Sequence, residues 1–232
     1  MRIVNYKSLY QLTITPNLFP VNVYIIEEEK TLTLIDTGLS IMAPKILKFS
    51  DSLNKPITRI LLTHCHNDHI GSLSKLKEAL PNAKVIMSER ESRFMNGDFS
   101  LDPDEPNVPL KGGYPKKEIS IFDETIKNGD QIGSLTSILT PGHTPGMTSY
   151  WSEQDKILIV GDALQTKGGL AIAGMVNWTF PFPAMATWSK ELAIKSAEKI
   201  LEISPDVIAP GHGNLLHKPL PELEKAIRKA KK

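Results

Sequence analysis

The chain has 232 residues, of which 41% are hydrophobic and 23% charged, a composition typical of a globular protein with enough apolar side chains for a core. Its 27 basic and 26 acidic residues leave a net charge of +1, so nothing indicates the strong field of a nucleic-acid-binding or membrane-surface protein. The single cysteine, Cys65, excludes an internal disulfide.

The same sequence shows neither a secretory signal nor a stretch long enough to span a membrane. We therefore expect a cytoplasmic protein that folds as one domain over residues 1–232. Its expected partner is a small-molecule substrate, with no nucleic acid and no membrane, and a homodimer is left open.

The first half of the chain predicts alternating strands and helices. Val21–Ile26 and Leu32–Ile35 are β-branched runs on either side of a charged turn, which predicts a hairpin. Helical spacing follows over Pro44–Leu53, and Ile57–Leu62 predicts a short buried strand. The pattern then predicts a βαβ unit, with a helix through Leu73, Leu76 and Leu80 and a strand at Ala83–Met87.

The second half begins with an irregular stretch, residues 91–115, whose glycines and prolines predict a short helix and then a long surface excursion. Short apolar runs after it predict strands at Ile119–Phe122, Glu124–Ile126, Gln131–Ile132, Leu135–Leu139, Thr148–Trp151, Ile157–Val160 and Val207–Ala209. Two amphipathic helices are predicted, at Ser189–Leu201 and from about Pro219 onwards.

The stretch that carries the most chemistry follows the strand Ile57–Leu62 and reads Thr63-His64-Cys65-His66-Asn67-Asp68-His69. Imidazole and carboxylate groups are common metal ligands. In an extended segment residues two apart point the same way, so His64 and His66 can bind one ion while Cys65 points away into the core. Asp68 and His69 can bind a second ion. A solvated polar loop is the alternative, and four ligand-type residues in six positions disfavour it.

Three further predicted strands lead into a residue of ligand type, namely His143, Asp162 and His212. His143 and His212 each follow Pro-Gly, which allows a tight turn that exposes the imidazole. Loops at one edge of a sheet sandwich would bring these side chains together. The sixth histidine, His217, has no such context and is predicted to be a surface residue. Asp36 ends an earlier strand and is equally compatible with contact to the site and with capping a turn.

Together, these motifs, in this order and at these wide spacings, resemble the metallo-β-lactamase-fold hydrolase superfamily. The resemblance implies an α/β (α+β) fold class, a four-layer αββα sandwich of two similar halves with a two-metal site at one edge. It implies two divalent metal ions, expected to be Zn²⁺, with Fe and Mn as alternatives. The implied ligands are His64, His66 and His143 for the first ion, Asp68, His69 and His212 for the second, and Asp162 bridging both.

The resemblance also implies the reaction. A hydroxide that bridges the two ions would attack a small ester, thioester or lactone, with Asp68 and Asp162 as the catalytic residues. An iron-dependent sulfur dioxygenase, or another redox metalloprotein on the same ligands, is the alternative. A β-lactamase is disfavoured because true β-lactamases of this fold lack a bridging aspartate. A phosphodiesterase is disfavoured because the chain is short and nearly neutral. Gln165 stands where quorum-quenching lactonases have a tyrosine.

Substrate choice is expected to lie in Glu91–Pro115 and in Gly168–Trp188, the second of which is rich in glycine, proline and large apolar side chains. Our hypothesis is that Met175–Met185, with Trp178 and Phe182, lines an apolar pocket beside the metals. The alternative is that these side chains cover the edge of the sandwich or a dimer contact. Lys167 could bind a substrate carboxylate or an oxyanion, although an exposed loop lysine is the commoner case.

Overall fold

The first of two large sheets comes from the amino-terminal half of the chain, in a computed structural model that describes residues 1–116 and 119–232. Its seven strands lie in sequence order as β1 (Arg2–Tyr6), β2 (Leu9–Ile14), β3 (Val21–Glu27), β4 (Leu32–Ile35), β5 (Ile57–Leu61), β6 (Lys84–Ser88) and β7 (Glu124–Ile126). The pairs from β1 to β4 are antiparallel, and those from β4 to β7 are parallel.

The remaining strands form a second large sheet and a small two-stranded one. In chain order they are β8 (Gln131–Ile132), β9 (Leu135–Leu139), β10 (Thr148–Ser152), β11 (Ile157–Gly161), β12 (Leu164–Gln165), β13 (Ala171–Ile172), β14 (Val207–Pro210) and β15 (Leu216–His217). The second sheet has the order β15-β14-β11-β10-β9-β8, and β12 pairs with β13. The pair β11–β14 is parallel.

Seven helices accompany these sheets among the described residues, and they are α1 (Ala43–Ser52), α2 (Asn67–Ile70), α3 (Leu73–Ala79), α4 (Glu89–Met95), α5 (Phe182–Met185), α6 (Lys190–Ile203) and α7 (Leu220–Ala230). Within the described ranges, none is both long enough and apolar enough to cross a membrane. Ser88 and Ser189 cap α4 and α6 by accepting a hydrogen bond from the backbone N–H three residues on, which satisfies one donor of each first turn.

The buried apolar side chains form three clusters, and these define four layers. One cluster packs α1, α3 and α4 on the outer face of the first sheet, through residues such as Ile46 and Phe94. A second packs α6 and α7 on the outer face of the second sheet, through Ile200 and Leu223. The third lies between the two sheets. The alternation of side chains along each strand supplies both faces, and the predicted αββα sandwich is confirmed.

Two buried tyrosines connect the sheets in a reciprocal way. Tyr24 on β3 donates a hydrogen bond of 2.6 Å to the carbonyl of Pro210, at the end of β14 in the other sheet. Tyr150 on β10 donates one of 2.8 Å to the carbonyl of Leu62, just after β5 in the first sheet. Burial raises the pKa of both phenols, so both remain donors. Each sheet thus fixes the strand end from which the other sheet presents a histidine loop.

One predicted strand is wrong, and one hairpin of the structure was not predicted. Ile119–Phe122 is not a strand. Its apolar side chains pack against the cluster between the first sheet and its outer helices, and the Ile119 N–H donates to the carbonyl of Met95 at the end of α4. The backbone N–H of Ile119 is therefore bonded to the end of a helix and not to a neighbouring strand. The hairpin β1–β2 was not predicted, because the exposed and intermediate residues of β1 carry no strong apolar alternation.

Candidate metal centre

The parallel strands bring the candidate ligands to one edge of the sandwich. In the first sheet β4 and β5 run side by side, and in the second β11 and β14 do the same, so the carboxyl ends of each pair lie together. Backbone hydrogen bonds from Thr148 N to Thr63 O and from Asn22 N to Gly211 O, both 2.9 Å, join the two sheets beside the histidine loops.

Three of the histidines converge on one point. His66 Nδ1 lies 3.1 Å from His64 Nε2 and 3.0 Å from His143 Nε2. All three side chains are buried. The ring nitrogens that face one another belong to the three residues predicted for the first ion, so the structure brings this predicted group together.

The second predicted group lies beside the first. His212 Nε2 is 3.4 Å from Asp68 Oδ2, and His69 Nε2 is 4.0 Å from the same oxygen. One donor atom from each of the three residues falls within 4.8 Å of the other two. Asp68 is the most open of the three, with 28% of its side chain exposed, because it lines the pocket above the centre.

Asp162 lies between the two groups. Its Oδ2 is 3.4 Å from His143 Nε2 in the first group and 3.2 Å from His212 Nε2 in the second, while Oδ1 is 3.4 Å from His69 Nε2. Contact with both groups through one carboxylate is the geometry that a bridging ligand requires.

Two observations test whether these residues fit divalent cations. His69 Nε2 and Asp162 Oδ1 are buried and lie 3.4 Å apart, but they form no hydrogen bond with each other or with any other described residue, although such buried polar atoms are nearly always satisfied in native proteins. Nitrogen and carboxylate donors at a ratio of five histidines to two aspartates are the set that Zn²⁺ and similar ions bind. The residues present therefore fit the expected metals.

The outward nitrogen of every histidine in the centre has a partner of its own. Such pairs fix the ring orientation, as in known metal sites. The pairs are His64 Nδ1 with Thr63 Oγ1 at 3.1 Å, His66 Nε2 with Lys111 O at 3.1 Å, His69 Nδ1 with Asp36 Oδ2 at 2.7 Å, His143 Nδ1 with Thr187 Oγ1 at 3.2 Å and His212 Nδ1 with Pro20 O at 2.7 Å. Of these partners, only Asp36 was considered from the sequence. Backbone carbonyls carry no sequence signal by which they could be found.

Asp36 acts on the site through His69. Its Oδ2 accepts hydrogen bonds from His69 Nδ1 at 2.7 Å and from Thr63 Oγ1 at 2.8 Å, and its Oδ1 accepts from Thr63 N at 2.8 Å. The backbone of Asp36 is left-handed, with φ of +59°. Of the two roles considered for this residue, contact with the site is the one observed, in the form of orienting a candidate ligand.

Glu91 was not predicted, and it joins the two loops of the first group. Its buried carboxylate accepts a hydrogen bond of 3.0 Å from Cys65 N, between His64 and His66, and one of 2.9 Å from Gly146 N, in the loop of His143. Burial raises the pKa of the Glu91 carboxyl, against the opposing effect of these hydrogen bonds. No sequence pattern marks a glutamate inside a short helix for this role.

The two groups differ electrostatically. Burial lowers the pKa of His66 to about 3 and that of His143 to about 4, which favours the neutral imidazole that binds metal. Burial also acts to lower the pKa of His212, but the Asp162 and Asp68 carboxylates outweigh it and raise that pKa to about 10. The second group is thus rich in negative charge and attracts positive charge.

A pocket of about 330 Å³ opens above the centre. Phe182 and Met185 line it, whereas Met175 and Trp178 line a different cavity of about 560 Å³ against α7. The carboxyl-terminal part of Met175–Met185 therefore lies where the pocket hypothesis put it, and the amino-terminal part does not. Lys167 donates to the carbonyl of Asn17 at 2.7 Å.

The two remaining predictions about single residues are confirmed. Cys65 is fully buried and belongs to the first outer core. His217 is exposed and stacks edge-on against Tyr6, with ring centroids 5.0 Å apart.

Comparison with known proteins agrees with the interpretation of these histidines and aspartates as a metal centre. A sequence profile described as "Metallo-beta-lactamase superfamily" matches residues 16–212. The chain is 48% identical over 232 residues to the uncharacterized protein YobT of Bacillus subtilis (strain 168), covering 100% of both chains. It is 28% identical over 214 residues to the probable metallo-hydrolase YflN of the same organism, covering 83% of this chain and 80% of that one.

Among solved structures, the crystal structure of BLEG-1 B3 metallo-beta-lactamase superposes with a TM-score of 0.68 at 23% identity, over 94% of this chain and 99% of that chain. At this identity the likeness establishes the fold and not the activity. Because the profile spans most of the chain and the fold agrees, the chain belongs to the metallo-beta-lactamase superfamily of metallo-hydrolases.

Proposed function

We propose that this protein hydrolyses a small ester, thioester or lactone with two divalent metal ions, of which Zn²⁺ suits the donor set best. The observation that carries the proposal is the convergence of seven candidate ligands whose inward atoms face one another while every outward imidazole nitrogen is hydrogen-bonded. The proposed ligands are His64, His66 and His143 for one ion, Asp68, His69 and His212 for the other, and Asp162 between them.

When bound, the two ions supply Lewis acidity, which lowers the pKa of a water shared between them and polarises the substrate carbonyl. The chain's own residues supply position. Asp68 is the candidate for orienting the nucleophilic water, because its carboxylate borders both the centre and the pocket. Burial acts to raise the pKa of the Asp68 carboxyl, but His69 and His212 hold it well below its usual range, so the carboxylate stays ionised and can accept a hydrogen bond from the water.

The first test is metal analysis of protein purified without added metal, followed by a panel of ester, thioester and lactone substrates. We expect about two zinc ions per chain, turnover that a chelator abolishes and zinc restores, and no oxygen uptake. Iron at the centre with oxygen consumption on a thiol or persulfide substrate would instead establish the redox alternative.

A pair of variants makes the test specific. His66→Ala removes an inward nitrogen and should abolish activity while the circular dichroism spectrum stays native. His217→Ala removes an exposed histidine of the same type and should leave activity unchanged. Wild-type rates in His66→Ala protein that has lost metal would overturn the mechanism.

A further inference from the structure

The pocket above the centre offers no polar side chain to a substrate apart from the candidate ligands themselves, within the part of the chain that the structure describes. Five of its lining residues belong to the centre, and the other seven are apolar or glycine. These seven are Phe19, Gly112, Gly113, Phe182, Pro183, Met185 and Ala186. Small-molecule sites that select polar substrates place a few polar groups among apolar walls, and here the only such groups are those that would hold the metals.

One wall of this pocket is a built aromatic cluster. Phe19, Phe180 and Phe182 have ring centroids 5.0, 5.1 and 5.4 Å apart in pairs. Phe180 is buried and lies 5.2 Å from the ring of the candidate ligand His212. Separations of this size are favourable for aromatic pairs. The buried member therefore anchors an apolar surface that starts at the centre and leads outward.

The outer part of that surface is open to solvent. Phe182 is 52% exposed and Met185 is 70% exposed. Covering exposed apolar area is favourable in proportion to the area removed from water, so a ligand that extends an apolar chain from the centre along Phe182 and Met185 gains affinity with each carbon.

The charge pattern of the lining residues favours an uncharged chain over an anionic one. No lysine or arginine lines the pocket within residues 1–116 and 119–232. Lys167, the cation considered for a substrate carboxylate, instead donates to a backbone carbonyl at Asn17. A carboxylate placed over this open part of the wall gains no cationic partner and loses hydration wherever the wall covers it, which favours an apolar chain.

From these observations we infer that the substrate carries an uncharged, apolar acyl group that lies against Phe19, Phe182 and Met185 while its carbonyl faces the centre. The inference rests on the proposed hydrolysis for the reaction and adds the chemical class of the substrate.

The experiment uses the zinc-loaded full chain and 4-nitrophenyl esters from acetate to hexanoate. We expect kcat/KM to rise about two- to fourfold per added methylene group, the upper value corresponding to complete removal of that group from water. The pentanoate ester should exceed its charged counterpart of equal length, the glutarate half-ester, by more than about tenfold. A flat series, or a preference for the glutarate half-ester, would overturn the inference.

Variants locate the effect. Phe182→Ala and Met185→Ala should reduce the dependence on chain length, and Met185→Lys should narrow the preference for pentanoate over glutarate by supplying a cation. Trp178→Ala is the matched control, because Trp178 lies in the same segment, is 90% exposed and lines the other cavity. Equal loss of chain-length dependence in Trp178→Ala and Met185→Ala would refute the assigned wall. Met185→Ala changes an exposed residue and so guards against misfolding as an explanation.

A binding measurement separates this inference from the proposed hydrolysis. Acetohydroxamic and hexanohydroxamic acids carry the same metal-binding head and differ only in their chains. If no ester is hydrolysed but hexanohydroxamic acid binds the zinc-loaded protein at least about tenfold more tightly, the proposed function fails and the apolar wall stands. Equal affinities would overturn the wall, whether or not the esters are hydrolysed.

Discussion

The substitution Asp36→Asn removes the negative charge that lies behind the candidate centre. Asp36 accepts three hydrogen bonds, from His69 Nδ1 at 2.7 Å and from the Thr63 hydroxyl and N–H at 2.8 Å each. An asparagine has one acceptor oxygen. If it takes the place of Oδ2, Thr63 N meets the NH₂ group, and if it takes the place of Oδ1, His69 Nδ1 and Thr63 Oγ1 both do. The left-handed φ of +59° at this position is a conformation that Asn and Asp both tolerate, and no new backbone strain enters.

The centre is affected through His69, whose Nδ1 loses a charged hydrogen-bond acceptor in either orientation of the amide. When the NH₂ group of the substituted side chain faces Nδ1, His69 is pushed toward the tautomer that carries its proton on Nε2, the atom that faces Asp162. Metal binding must reverse that tautomer. Loss of a hydrogen bond to a charged group costs about 1.5–3 kcal/mol, which corresponds to about 10- to 150-fold weaker binding at the second site. Loss of such outer partners in other metal sites has effects of the same order.

Zinc titration against a chromophoric chelator resolves the two sites. We expect the group of Asp68, His69 and His212 to lose affinity while the group of His64, His66 and His143 retains it. Asp155→Asn is the matched control, because Asp155 is also buried and also accepts from a backbone N–H and a hydroxyl, those of Ser8, at the opposite end of β11 from the centre. Unchanged binding in Asp36→Asn, or equal weakening of both sites, would refute the reasoning.

Three further substitutions test other parts of the site. Gly112→Ala should weaken zinc binding at the first metal site more than about tenfold, since a Cβ there would overlap the His66 imidazole. The control is Gly129→Ala, at a glycine with a similarly positive φ and open space around it, which should bind zinc normally. Glu91→Gln should also weaken zinc binding at the first site about tenfold without abolishing the fold, because one of its two backbone N–H partners then meets an amide NH₂. Wild-type zinc affinity in this variant would show that Glu91 does not position these loops. In a urea titration, Tyr150→Phe should lower the free energy of unfolding by about 1–2 kcal/mol, because the Leu62 carbonyl loses its buried partner. The control is Tyr6→Phe, at a half-buried ring near the surface, which should change the free energy of unfolding by less than about 0.5 kcal/mol.

Several features could be predicted because they are local in the sequence. The strand Ile57–Leu62 and the histidines after it form one short stretch, and period-two alternation alone places His64 and His66 on the side opposite Cys65. The structure agrees, with the two imidazoles facing one another and the thiol in the core. The edge location also followed from the repeated pattern of a strand that ends in a ligand-type residue.

Other features depend on residues that are distant in sequence and so left no pattern to interpret. Ile119–Phe122 has the composition of a strand, but its neighbour is the end of α4. Trp178 and Phe182 are four residues apart and could not be distinguished from the sequence. Because the chain turns between them, Trp178 lines the cavity against α7 and Phe182 lines the pocket above the centre.

The candidate donors could be predicted from the sequence by itself, because metal-ligand chemistry depends on residue type and the short spacings indicate which donors share a strand end. The fold family was implied by the resemblance that these motifs carry. How the donors are held, and what they face, became visible only in the folded chain. The partners of the outer imidazole nitrogens come from loops that are distant in sequence. Asp36 reaches His69 through the pairing of β4 with β5, Thr187 reaches His143 from the segment before α6, and the Pro20 carbonyl reaches His212 across the two sheets. The apolar wall of Phe19 and Phe182 joins segments from opposite halves of the chain, since hydrophobic contact selects by shape and position in space and not by distance along the chain.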